Sequence, residues 1–318
     1  MAYDLRPLSL AELLDRSFSL YRRHFWVFVG IMAPPSIAML LLSLGSNAIN
    51  GVQALAPEFQ PSAEMGLALA IGVILLTLVT FLLYWITYAL AVGATTSAVS
   101  EIYSGQTPSI AAAFRAIKGR LGRLTWLLFL LGIRLVGIVL IVMVTTVIAA
   151  TAAGFVAPVL GAIGFGVGMF AAFGLFVWMV LRYAVCVPAA ILEENTASDA
   201  IARSIDLTAG SLLKVLVLLV FTVIVTYAAL AIFQMPFAIA AFVVGLETPA
   251  GFGLNMLGVI TGSVASALTS PLAVVAMAVL YYDLRIRHEG LDLELMVAKL
   301  REAAPPASGQ AESTVLPG

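Results

Sequence analysis

The sequence predicts an all-α, polytopic transmembrane helix bundle, with six spans in three parallel pseudo-repeats, each led by an amphipathic interfacial helix. Three observations predict it. Of the 318 residues, 62% are hydrophobic and 10% charged, and the mean hydropathy is +1.09; a soluble domain is nearer one half apolar and one quarter charged. Six stretches reach the ~20 mostly apolar residues that a spanning helix needs: about 26–48, 66–98, 124–150, 155–187, 211–244 and 253–282. Lysine and arginine fall in alternate connections, which fixes an orientation.

The lead-in helix comes first. Ser9 and Glu12 form a Ser-x-x-Glu capping box, in which each side chain satisfies a backbone N–H that the first helical turn leaves free. Leu10, Leu13, Leu14, Phe18, Tyr21 and Phe25 then recur at helical spacing, with Glu12, Asp15, Arg16, Arg22 and Arg23 on the other face. A second copy is expected to start at Thr107-Pro108, with Ile110, Ala113, Phe114, Ile117, Leu121 and Leu124 apolar and Arg115, Lys118, Arg120 and Arg123 charged. A third starts at Thr196, with Asp199 three residues on, and places Ile201, Ile205, Thr208 and Leu212 on one face. Arg16-Ser17-x-x-Leu20 aligns with Arg203-Ser204-x-x-Leu207, and Arg115 holds the matching place in the middle copy. Such helices lie in the interface and hand the chain into the bilayer.

The basic residues Arg16, Arg22, Arg23, Arg115, Lys118, Arg203, Arg285 and Arg287 all lie on one set of connections, whereas those around 48–64, 151–157 and 245–252 contain no Lys or Arg. Both termini are therefore expected in the cytoplasm of a bacterial inner membrane, against its anionic leaflet. The boundary between the third and fourth spans is expected at Thr151–Pro158, where Gly154 and Pro158 are the turn signals. The N-terminus carries no signal-peptide pattern, so the first span reads as an uncleaved anchor. The chain divides into a cytoplasmic lead-in helix at 1–25, a six-span domain at 26–290 with interfacial helices near 107–123 and 196–210, a short cytoplasmic helix at 291–303 and a disordered tail at 304–318.

Inside the spans, Gly258, Gly262, Ser266 and Ser270, and likewise Gly164, Gly168 and Ala172, recur every fourth residue. They read as close helix packing in preference to a ligand path. Pro34-Pro35, Pro188, Pro236 and Pro271 interrupt or end helical patterns. Arg134 is a charge inside the third span; it either binds carbonyls and Thr hydroxyls or meets an anionic ligand or headgroup. Thr80, Tyr84 and Tyr88 belong to a polar and aromatic cluster on the second span, read as packing before cavity lining. Arg134, Thr80, Tyr84 and Tyr88 are the candidate ligand or lipid contacts.

Catalytic groups and metal ligands are not predicted. His24 and His288 are the two histidines, neither at metal spacing from a partner. His-Glu-x-x-His, a Walker loop and Gly-x-Ser-x-Gly are absent from the sequence. The lone Cys186 excludes a disulfide framework; the net charge of −1 says nothing about nucleic acid, but no basic patch is interleaved with base-stacking aromatics, so no nucleic-acid partner is predicted. Glu193-Glu194 is expected to play a solvated helix-capping role. No cofactor is predicted.

RPLSLAELLDRSFSLYRRHF at 6–25, PAAILEENTASDAIARSIDLTAGSLLKVL at 188–216 and YYDLRIRHEGLDLELM at 281–296 together resemble the bacterial glycerophosphoryl diester phosphodiesterase membrane domain family and related six-span proteins. The resemblance covers residues 5 to 302. It implies an integral membrane protein; the soluble phosphodiesterase barrel joined to this domain in some relatives, with its histidines and metal-binding carboxylates, is missing here, so no activity is implied. Two functions stay open: a non-enzymatic membrane scaffold or accessory subunit that organises lipid or protein partners, and a carrier or lipid-handling protein for an anionic or amphipathic substrate.

Overall fold

The computed structural model describes residues 6–47, 51, 62–193 and 195–290. The helix expected at 291–303, the tail at 304–318 and Glu194 lie outside the described residues, as does most of the connection expected at 48–64. Among the described residues the chain is entirely helical: α1 (Leu10–Arg23), α2 (Phe25–Ser46), α3 (Ala63–Tyr103), α4 (Ile110–Ile117), a 3-10 turn (Lys118–Arg120), α5 (Leu121–Val156), α6 (Pro158–Arg182), α7 (Cys186–Leu192), α8 (Ala197–Thr208), α9 (Leu212–Val244) and α10 (Pro249–Glu289). Six segments are long and apolar enough to cross a membrane. They pair as hairpins, α2 with α3, α5 with α6 and α9 with α10. The short helices α1, α4, α7 and α8 lie at one end, called here the charged end.

Helix α1 forms as its capping box dictates: the Ser9 hydroxyl accepts from Glu12 N–H, and the Glu12 carboxylate accepts from Ser9 N–H at 2.7 Å. Its buried face is Leu13, Ser17, Leu20 and Tyr21, rotated from the stripe that spacing predicts, so that Phe18 is 44% exposed. The rotation follows from docking on α10, where the Tyr21 hydroxyl donates to the Leu268 carbonyl. That carbonyl is next to the one that Pro271 leaves without a helical donor.

Helix α4 starts two residues later than Thr107-Pro108 predicts. Its cap is Ser109, whose hydroxyl accepts from Ala112 N–H. The turn expected over 151–158 is much tighter: α5 continues to Val156, Ala157 alone is extended, and Pro158 opens α6. Gly161 makes this possible, since a Cβ there would sit 2.7 Å from the Ala150 carbonyl and 2.8 Å from Gly154 Cα. The small-residue stripes serve the same intrahairpin packing: a Cβ at Gly168 would overlap Thr146, and one at Gly258 would lie 3.3 Å from Phe237 Cβ.

The core sits at the charged end. Helix α3 buries a run from Ala89 to Ile102 and, before that, only Thr80. Helix α5 buries Leu124, Leu127 and Leu131, and nothing beyond. Small residues on α3 let three other elements close upon it: a Cβ at Gly93 would be 2.6 Å from Leu124 and 3.3 Å from Ile117 and Ile191. Helix α10 runs through the middle, packed on α1, α2, α3, α8 and α9. Half of its most apolar stretch is buried, against 6% for α3 and for the α4–α5 segment. Away from this core the hairpins present their apolar flanks outward, as at Phe155 and Val156, 93% and 83% exposed.

Candidate functional site: a polar clasp at the charged end

The last two turns of α10 read Tyr281-Tyr282-Asp283-Leu284-Arg285-Ile286-Arg287-His288-Glu289. Residues four apart share a helix face, so Asp283 and Arg287 fall on one side, and Tyr281, Arg285 and Glu289 on another. Each face clasps a different part of the chain.

Asp283 is buried, 1% exposed. Its Oδ1 accepts from the backbone N–H of Leu8 at 2.7 Å, and its Oδ2 from Arg287 Nε at 2.9 Å and Lys214 Nζ at 3.5 Å. Arg287 also donates to the Leu8 carbonyl. Both backbone groups of Leu8 are thereby held by one turn of α10, and Leu8 itself is buried.

On the other face, Glu193 accepts from Arg203 Nε at 2.9 and 3.1 Å and from the Tyr281 hydroxyl at 2.6 Å, with Arg285 Nε 3.6 Å away. Glu289 accepts from Arg285 Nε at 2.8 Å and from Arg203. Burial alone would raise the Glu193 carboxyl, but the hydrogen bonds from Arg203 and Tyr281 outweigh it and hold the group below the usual carboxylate range. Arg203 shifts upward, because Glu193 and Glu289 outweigh the burial that would lower it. The solvated capping role expected for Glu193 is thus overturned: its side chain is 17% exposed and bound by four residues, Arg203, Tyr281, Arg285 and Asn195, whose Nδ2 donates to it at 3.0 Å.

Behind the clasp, α8 is tied to the end of α6. Ser204 donates to the Arg182 carbonyl at 2.8 Å and accepts from Val185 N–H at 3.3 Å. Arg182 donates to the Ile205 carbonyl at 3.0 Å and lies over the Trp178 ring at 5.4 Å. Arg120 donates to the Ile191 carbonyl at 2.9 Å. Among the described residues, no three His, Cys, Asp or Glu side chains gather in a way that could hold a metal ion.

The predicted contacts are distributed differently. Arg203, Arg285 and Arg287 join the clasp; Arg16 is partly buried in α1; and Arg22, Arg23, Arg115 and Lys118 are exposed at the same end. Arg134 is exposed on α5, 23 positions before the turn at Ala157. That is about 34 Å at ~1.5 Å per residue, past a hydrocarbon layer about 30 Å thick. Thr80 returns its hydroxyl to the Leu76 carbonyl at 2.7 Å, while Tyr84 and Tyr88 stack on each other at 5.6 Å. Sequence reasoning missed Asp283, Lys214, Tyr281 and Glu289 as partners; the i,i+4 pairs Asp283–Arg287 and Arg285–Glu289 were the available signal.

Six apolar helices around a core of this kind define a multi-pass membrane protein. Residues 155–303 match the family model described as the membrane domain of glycerophosphoryl diester phosphodiesterase, so this half of the chain is similar to the family its motifs suggest. The match takes in α6 to α10, and with them every residue of the clasp except Leu8. No curated protein and no solved structure matches the chain.

Proposed function

We propose that this chain is a non-enzymatic scaffold or accessory subunit of a bacterial inner membrane, cytoplasmic at both termini, that organises lipid or partner proteins. One observation carries the reading. The carboxylates of the clasp are engaged by cations and backbone amides of the same chain, so its conserving effect is on the fold, and the spans beyond it turn apolar flanks to lipid. The family's motif residues then serve to hold the chain ends together, and no phosphodiester chemistry follows from them.

Three parallel units account for the architecture in this reading: α1 with α2–α3, α4 with α5–α6, and α8 with α9–α10. Ser9, Ser109 and Thr196 cap the three lead-in helices, and Ser17 and Ser204, with Leu20 and Leu207, are buried at corresponding places. Arg22, Arg23, Arg115 and Lys118 face the anionic leaflet, and Arg134 takes a lipid phosphate at the hydrocarbon boundary.

Native mass spectrometry of the protein released from its own membranes, with and without Arg134→Leu, tests this. The expected result is a protein partner at fixed stoichiometry in both forms, with bound anionic phospholipid reduced in the variant. A small polar metabolite bound one to one and lost in Arg134→Leu would overturn the scaffold in favour of a carrier.

A further inference from the structure

The middle of α9 contains a polar side chain that the clasp does not use. Gln234 lies ten positions before Val244, the end of α9, which is about 15 Å from the far turn and so near the centre of a layer about 30 Å thick. Its carboxamide is accommodated by the absence of a side chain on α10: a Cβ at Gly262 would sit 2.9 Å from Gln234 Oε1. Gln234 is nevertheless exposed, and forms no hydrogen bond with the described residues. The neighbouring Thr261 hydroxyl is already committed, 2.9 Å from both the Phe233 and the Leu257 carbonyls.

A carboxamide has two donors and an acceptor, and lipid chains at this depth supply neither. We propose that Gln234 is the centre of a homodimer interface, paired with Gln234 of a second copy. Two copies inserted in the same orientation are related by a two-fold axis along the membrane normal, which can set a residue opposite itself. A carboxamide is self-complementary in that arrangement: each Oε1 accepts from the other Nε2. The flanking surface fits a close approach. Ala231 and Ala238 lie on the Gln234 face, one turn to either side, and both are exposed; small residues beside a polar one are the usual means of joining helices in lipid. This inference goes beyond the scaffold reading and does not depend on it.

Photobleaching step counts of fluorescently labelled full-length protein in phosphatidylcholine vesicles, across a range of protein-to-lipid ratios, give the test. The wild type is expected to dimerise, Gln234→Leu to weaken the dimer about 3- to 20-fold, from the measured range for interhelical hydrogen bonds in membranes, and Gln234→Asn to retain most of the association. With the single cysteine Cys186, itself buried, replaced by alanine, Ala238→Cys is expected to form an intermolecular disulfide and Val243→Cys, on the opposite side of α9, is not. A wild type that stays monomeric at every ratio, or a Gln234→Leu dimer as tight as the wild type, would overturn the proposal.

Discussion

The charged end and the far end of this molecule are built on different principles. At the charged end, ten segments of chain meet, the residues are small or fully interdigitated, and the polar bonds run between elements distant in sequence: hydrogen bonds from Leu8 to Asp283 and from Tyr281 to Glu193, and an ion pair of Arg203 with Glu289. At the far end, each hairpin touches chiefly itself, through glycines that bring two helices together, and its flanks are apolar and exposed. Lipid explains the contrast. Apolar side chains gain little by leaving hydrocarbon for a protein core, so only close packing and polar bonds hold spans together there. At the charged end the surroundings are water and headgroups, and burial and charge pairing both contribute.

Breaking the clasp at its most buried point should have the largest effect. Asp283→Ala leaves Lys214 and Arg287 without their shared anion and frees the Leu8 amide; a loss of about 3 kcal/mol or more is expected, read as a lowered Tm in detergent together with tryptic cleavage near Arg16. A Tm within error of the wild type would mean that the clasp does not hold the ends together.

A smaller effect, about 1.5–3 kcal/mol for charge-assisted hydrogen bonds, is expected of Glu193→Gln, and acid sharpens it. The folded-state pKa of Glu193 is depressed, so its contribution is complete above the unfolded value of ~4.3 and is lost as pH falls through the lower folded value. Titrating Tm from about pH 6 to about pH 3 should show the wild type falling below ~4.3 and the Gln variant, already less stable, falling less. Parallel curves would assign the acid limb elsewhere.

The far end supplies the smallest effects and its own exception. Ile148→Val, at a residue 62% exposed, should change stability by under about 0.5 kcal/mol. Gly161→Val, one turn from the same hairpin bend, should cost about 1–3 kcal/mol, because the added carbons meet backbone, which cannot swing aside. Equal thermal shifts for the two would remove the distinction between lipid-facing and helix-facing positions.

Much of this was legible in the chain. Six spans follow from hydropathy alone, since nothing but a helix satisfies so long an apolar backbone in lipid, and the caps at Ser9 and Thr196 are local, so their chemistry is visible in four consecutive residues. The rest depends on distant contacts. No local pattern says that Leu8 meets Asp283, nor which face of α1 turns inward, because α10 decides that. Glu193 looked solvated because it follows a helix end; its partners come from α8 and α10. Arg134 reads as intramembrane from its place about ten residues into the third apolar stretch, and what it meets depends on contacts that a local pattern does not contain. Gln234 went unnoticed among apolar neighbours because it carries no charge.

The bond between Leu8 and Asp283 joins positions 275 residues apart. A ribosome adds about 5–20 residues per second, so Leu8 waits about 14 to 55 s before the carboxylate that fastens it has been made. During that interval the α1 surface destined for α10 has no partner within its own nascent chain. The order of synthesis thus opens a window in which an insertion factor or chaperone has access to that surface, and which closes when the sixth span arrives.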